Sequence, residues 1–113
     1  MTWIYKILTR AEWDAALATG RYDGSVHDAR DGFIHMSAAG ELAETARKYF
    51  SGQQDLLLVT LESDALGSGL VWEPSRGGAL FPHLYGPLHT ASAIDVRSLD
   101  LGPDGVPVID LLP

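Results

Sequence analysis

Seven polar residues are set into apolar, strand-like stretches or beside glycines: Lys6, His35, Ser37, Glu73, Arg76, His83 and Tyr85. They are densest in residues 72–86. There, Trp-Glu-Pro-Ser-Arg-Gly-Gly (72–78) and Phe-Pro-His-Leu-Tyr-Gly (81–86) supply an acid, a cation, an imidazole, a phenol and glycines within fifteen residues. That density exceeds what packing needs and reads as a pocket in which a few polar groups converge among aromatic walls. His35 and His83 can move a proton near neutral pH, and Glu73 can steady a developing cation, so these three are the catalytic candidates. Lys6, Ser37, Trp72, Arg76 and Tyr85 are the binding candidates: the cations for phosphate or carboxylate, the rings for stacking. Each also has an architectural reading. A strand histidine is often a core residue bonded to the backbone, Ser37 stands where a helix cap is expected, Arg76 can be solvated, and Tyr85 can pack with its hydroxyl at the surface.

Several familiar sites are missing from the sequence. It has no Gly-x-Gly-x-x-Gly after a strand, no phosphate-binding Gly-x-x-x-x-Gly-Lys and no serine elbow, and Gly67-Ser68-Gly69 reads as a turn. Histidines 27, 35, 83 and 89, with Glu73, lack the short paired spacing of common zinc sites, so no metal site is expected. With no cysteine, the chain is neither a disulfide scaffold nor a thiol enzyme.

A chain of 113 residues, 46% apolar and 20% charged, is long enough for one folded domain, residues 1–113. Its net charge of -7, with eight scattered Lys and Arg, disfavours nucleic acid as the main partner. A small-molecule ligand is expected instead, and a protein partner is left open. No apolar run approaches the roughly 20 residues that cross a bilayer. The first residues resemble no signal peptide, so a cytoplasmic location is expected.

The elements that must position these side chains follow from periodicity. Residues 3–8 read as a strand, and Thr9 to Glu12 as a capping box that opens a helix with Trp13, Ala16 and Leu17 on its buried face and Gly20 at its end. Residues 21–31 read as a surface loop, 33–36 as a short strand, and Ser37 as the cap of a helix whose stripe is Leu42, Ala46, Tyr49 and Phe50. The apolar run 55–62 is the strongest strand and suits a central position. A single helical turn is expected within 63–69, a strand at 70–73 and a turn at 75–78. Prolines limit 80–87 to an edge or irregular piece. A strand at 91–99 is expected to bury Ile94, Val96 and Leu99, and a last strand covers 106–112 after a turn at Asp104-Gly105. Two helices on a mainly antiparallel, split sheet make an α+β domain.

The motifs Gly-Phe-Ile-His-Met-Ser (32–37), Trp-Glu-x-Ser-Arg-Gly-Gly (72–78) and Phe-Pro-His-Leu-Tyr-Gly (81–86) resemble those of a family of short bacterial proteins known only as a domain of unknown function. That family is grouped by fold with the ADP-ribosyltransferases. The resemblance covers nearly the whole chain and implies an ADP-ribosyltransferase-like fold. In that layout Tyr5-Lys6 resembles the first strand with its basic residue, and residues 32–50 resemble the strand and helix that carry a nicotinamide-stacking aromatic. The transferases' glutamate strand is similar to 81–86, where His83 stands and no acid does. The resemblance implies an NAD- or ADP-ribose-related transferase or glycohydrolase lacking the usual glutamate, with Glu73 as the acid to replace it. The alternative is a catalytically inert module for a nucleotide-like or anionic ligand. The resemblance also implies, as an alternative within the fold, an RNA 2'-phosphotransferase type, which His35, Arg76 and His83 would suit but the acidic composition fits poorly.

Overall fold

In the computed structural model, which describes residues 2–109 and their side chains except that of Arg76, the first strand is β1 (Trp3–Thr9). Its side chains serve two cores. Ile4 and Leu8 enter one with Trp13, Tyr22, Ile34 and Leu84; Tyr5 and Ile7 enter the other with Leu42, Ala46 and Leu58. Lys6, on the first of these faces, is the polar exception in a strand buried along its centre.

The helix α1 (Arg10–Thr19) begins at the expected capping box, with Glu12 N–H donating to Thr9 Oγ1 and Thr9 N–H to Glu12 Oε1, and ends at Gly20 with φ 85°. Trp13 and Ala16 are buried, but Leu17 is 54% exposed, so the packed stripe is narrower than the spacing suggests. The stretch expected to be a loop holds two elements, β2 (Arg21–Tyr22) and α2 (Val26–Asp31). Ser25 caps α2 in a capping box closed by Asp28, and six residues are too few to display a helical period.

Next come β3 (Ile34–His35), β4 (Ser37–Ala38) and α3 (Ala39–Phe50). Ser37 is not the cap of α3. Ala38 holds that position without a side-chain bond, and the buried Ser37 hydroxyl meets Thr45 Oγ1 at 3.2 Å. On α3, Leu42 and Ala46 are buried and Phe50 packs against their cluster, while Tyr49 is largely exposed.

The central strand is β5 (Leu56–Glu62), paired with β1 along its whole length and with β9 on its other edge. A 3-10 segment, Ser63–Gly69, leads to β6 (Leu70–Pro74), and another, Arg76–Gly78, to β7 (Leu80–Leu84). After β8 (Leu88–His89) and a 3-10 turn at Thr90–Ser92, β9 (Asp95–Leu99) completes the main sheet. Its inward positions are Asp95, Arg97 and Leu99, which leaves Ile94 and Val96 substantially exposed, contrary to expectation. Residues 106–109 form no strand, only a bridge between Leu101 and Pro107; residues 110–112 of the expected last strand lie outside the described residues.

The strands form sheets of order β4-β1-β5-β9, β3-β7-β6 and β2-β8, and every pairing is antiparallel. The fold is therefore α+β, as expected. The position of β7 is the correction: it is the middle strand of its sheet despite Pro82. The Pro82 carbonyl accepts from Met36 N–H at 3.1 Å, which places the ring's missing donor on the same flank, just where the ladder with β3 ends at His35 and His83. Met36 is also where the chain crosses between the sheets. Since β4 pairs with β1 only at Ile4 and Tyr5, the sheets part beyond this crossover and leave a cleft along the rest of β1. No helix among the described residues is long and apolar enough to cross a membrane.

Candidate functional site

Antiparallel register brings the two strand histidines together. His35 of β3 lies directly opposite His83 of β7, so both rings leave the same face, with centroids 5.7 Å apart and edge to face. Tyr85 follows His83 by two residues, and Glu73 of β6 lies opposite Phe81, so both also belong to that face. Glu73 Oε1 accepts from His83 Nδ1 at 2.8 Å and from the Tyr85 hydroxyl at 2.7 Å. Phe33 fills the angle between the groups: its ring stacks on His83 at 4.0 Å and lies 4.6 Å from His35 and 5.3 Å from Tyr85. The hydrogen bond from His83, then that from Tyr85, hold the Glu73 carboxyl below the usual carboxylate range.

His35 is held from behind by Asp28, which is only 2% exposed. Nδ1 of His35 donates to Asp28 Oδ1 at 2.6 Å, and the His35 N–H donates to the same oxygen at 3.1 Å. Lys6 Nζ donates to Asp28 Oδ2 and to the His35 carbonyl, each at 2.9 Å. Burial opposes the charge of Asp28, but the His35 bond, the Lys6 charge and the Ser25 N–H outweigh it and keep the carboxyl well below its ordinary range. Burial pushes the Lys6 ammonium down, against the pull of Asp28. A buried pair with its remaining hydrogen bonds filled is the arrangement that a low-dielectric site tolerates.

The cleft encloses about 560 Å³ and is lined by Lys6, Asp28, Asp31, His35, Ser37 and His83, with Tyr5, Tyr49 and Phe81 among its walls. Of the expected catalytic residues, His35 and His83 line it, and Glu73 stands behind His83. Tyr85 joins through Glu73. Lys6 and Ser37 line the cleft too, but Lys6 is spent on Asp28 and on the main chain, so it is not a free cation for phosphate. Trp72 does not join: it lies opposite Pro82, on the other face of the sheet from Glu73. The Arg76 side chain lies outside the described part of the chain.

Four residues of the cluster were not among the seven: His27, Asp28, Asp31 and Phe33. Asp28 had a signal in the Ser-x-x-Asp capping pattern from Ser25. His27, Asp31 and His35 had one in their spacing of four and four. Both were hidden by the turn-like composition of 21–31.

A family model described as "Protein of unknown function (DUF952)" matches residues 7–96. The chain is similar to the protein CC0527 of Caulobacter crescentus, whose crystal structure superimposes with a TM-score of 0.93 at 56% identity, covering 95% of this chain and 94% of that one. The solution structure of the same protein gives 0.85 at 57% identity, over 95% and 92% of the two chains. No curated protein matches.

Proposed function

The chain belongs to the DUF952 family of proteins of unknown function, and we propose that its cleft binds a ribosyl compound of the NAD or ADP-ribose class and cleaves or transfers at the glycosidic carbon. One observation carries this reading: His35 and His83, each held through Nδ1 by a carboxylate and each packed on the Phe33 ring, line a single cavity. Its volume falls within the range of small-molecule sites, roughly 300–1,000 Å³. Tyr5, Tyr49 and Phe81 among its walls, with the imidazoles, offer rings for a heteroaromatic group, the task first expected of Trp72 and Tyr85.

In this reaction the bond from C1' of the ribose to the leaving ring breaks, and the ring departs with the electron pair. Positive charge gathers at C1', and water or an acceptor hydroxyl attacks there, losing its proton to a base. Nε2 of His83 is the atom turned from Glu73 and is the base. Glu73 is a positioning residue that orients the ring and supports the charge it gains. Chromatography of nicotinamide released from NAD tests the step, with a fall of about a hundredfold or more expected for His83→Ala. No release by the wild-type chain overturns the reaction.

A second reading has its own observation. Oε1 of Glu73 is engaged by both His83 and Tyr85, as in a carboxylate that fixes a ring rather than meets a substrate. Saturable binding of NAD or ADP-ribose with no product is the outcome that favours an inert binding module.

A further inference from the structure

His27, Asp31 and His35 are spaced as His-x-x-x-Asp-x-x-x-His. The first two share a face of α2, and His35 arrives on β3 after the chain turns at Gly32, which has φ 85°. Asp31 Oδ2 lies 2.9 Å from Nε2 of His35 and 3.7 Å from Nε2 of His27. One donor atom from each side chain falls within 4.8 Å of the others, and the two imidazoles stack with centroids 4.7 Å apart. Both Nε2 atoms thus turn to one carboxylate oxygen at the rim of the cleft, where His27 and Asp31 are exposed. Exposed pairs of this kind add little to stability, so folding alone gives no reason for the convergence.

We propose that His27, Asp31 and His35 bind a divalent first-row transition-metal ion, zinc by preference. Two imidazole nitrogens and a carboxylate oxygen are a donor set suited to zinc, and ligand atoms about a tetrahedral ion with bonds of about 2.0–2.1 Å stand about 3.3 Å apart. The distances of 2.9 and 3.7 Å bracket that spacing. A second feature points the same way. Asp28 takes the Nδ1 proton of His35 at 2.6 Å, which leaves Nε2 as the nitrogen for a metal, in place of the proton it shares with Asp31, and Lys6 fixes Asp28 in turn. Histidine ligands of metals are oriented by carboxylates in this manner. Three protein donors leave a coordination position for water or for an oxygen or nitrogen of the cleft's ligand. The Arg30 guanidinium, 3.4 Å from Nδ1 of His27, must turn away, because binding at Nε2 puts the proton on Nδ1.

The site goes beyond the ribosyl reading, sharing only His35 with it, and its test contains no nucleotide. The metal-free full chain is titrated with zinc chloride by calorimetry, and cobalt(II) is added in parallel as a spectroscopic probe. One zinc ion per chain is expected, together with the intense visible bands of four-coordinate cobalt. His27→Ala and Asp31→Asn, both at exposed positions that leave the core intact, are each expected to weaken zinc by about tenfold or more. Arg30→Ala is expected to bind at least as tightly as wild type. The absence of zinc binding at about a hundred micromolar, well above the affinities typical of three-ligand protein sites, overturns the proposal. So does binding that survives both substitutions.

Discussion

Asp28 organises the cleft more than any residue whose type announced it. It joins Lys6 of β1, the cap of α2 and His35 of β3, and its charge is held in place by all three. The pH dependence follows in sign. An unfolded Asp protonates near pH 3.9, whereas the folded carboxyl lies lower, so on acidification the unfolded chain binds its proton first. The stabilisation is complete above about pH 5 and is lost as pH falls through the unfolded value toward the folded one. Denaturant unfolding between neutral and acid pH is expected to show this loss. The double variant Lys6→Met, Asp28→Asn, which removes both buried charges, is expected to show a flatter acid limb. An identical acid limb in the two proteins would place the linkage elsewhere. At this scale the sequence disclosed Lys6 and His35, because a charge or imidazole within an apolar strand is conspicuous. Asp28 was not conspicuous, since an Asp among Gly, Ser and Asp reads as a turn former until its burial is known.

Among the elements, β1, β5, α1 and α3 were legible because each is long enough to display its period or its cap. The helix α2 was not, and neither was the central place of β7, because Pro82 ordinarily limits such a stretch to an edge or irregular piece. Its ring falls where the neighbouring ladder stops, a fact of register that no local pattern contains. The start of α2 carries its own prediction. Gly24 has φ 104°, and a Cβ there would lie 2.8 Å from Cβ of Asp28. Gly24→Ala is therefore expected to lower stability by about 1–2 kcal/mol or more in thermal or denaturant unfolding. Gly40→Ala, in the first turn of α3 with open space around it, is expected to be neutral or stabilising by up to about 1 kcal/mol. Equal losses at the two positions would contradict the tight contact at Gly24.

For the whole molecule, the α+β class and antiparallel layout were legible from alternation and turn residues, but the meeting of His35 with His83 depended on how two distant segments register. The same architecture holds in the Caulobacter crescentus protein, which matches nearly end to end. Two sheets joined at Met36 and parting beyond it make a cleft whose walls mix aromatic rings, imidazoles and carboxylates. Lys6 is paired with Asp28, so the proposed ligand would be held by ring stacking and by its ribose hydroxyls more than by phosphate pairing to Lys6. Calorimetric titration of the full chain with NAD and with ADP-ribose tests this most directly. Saturable heat is expected for at least one of them, with affinity reduced by about tenfold or more in His83→Ala, the cost of losing one buried polar anchor. A flat response to both ligands would contradict the assignment of the cleft.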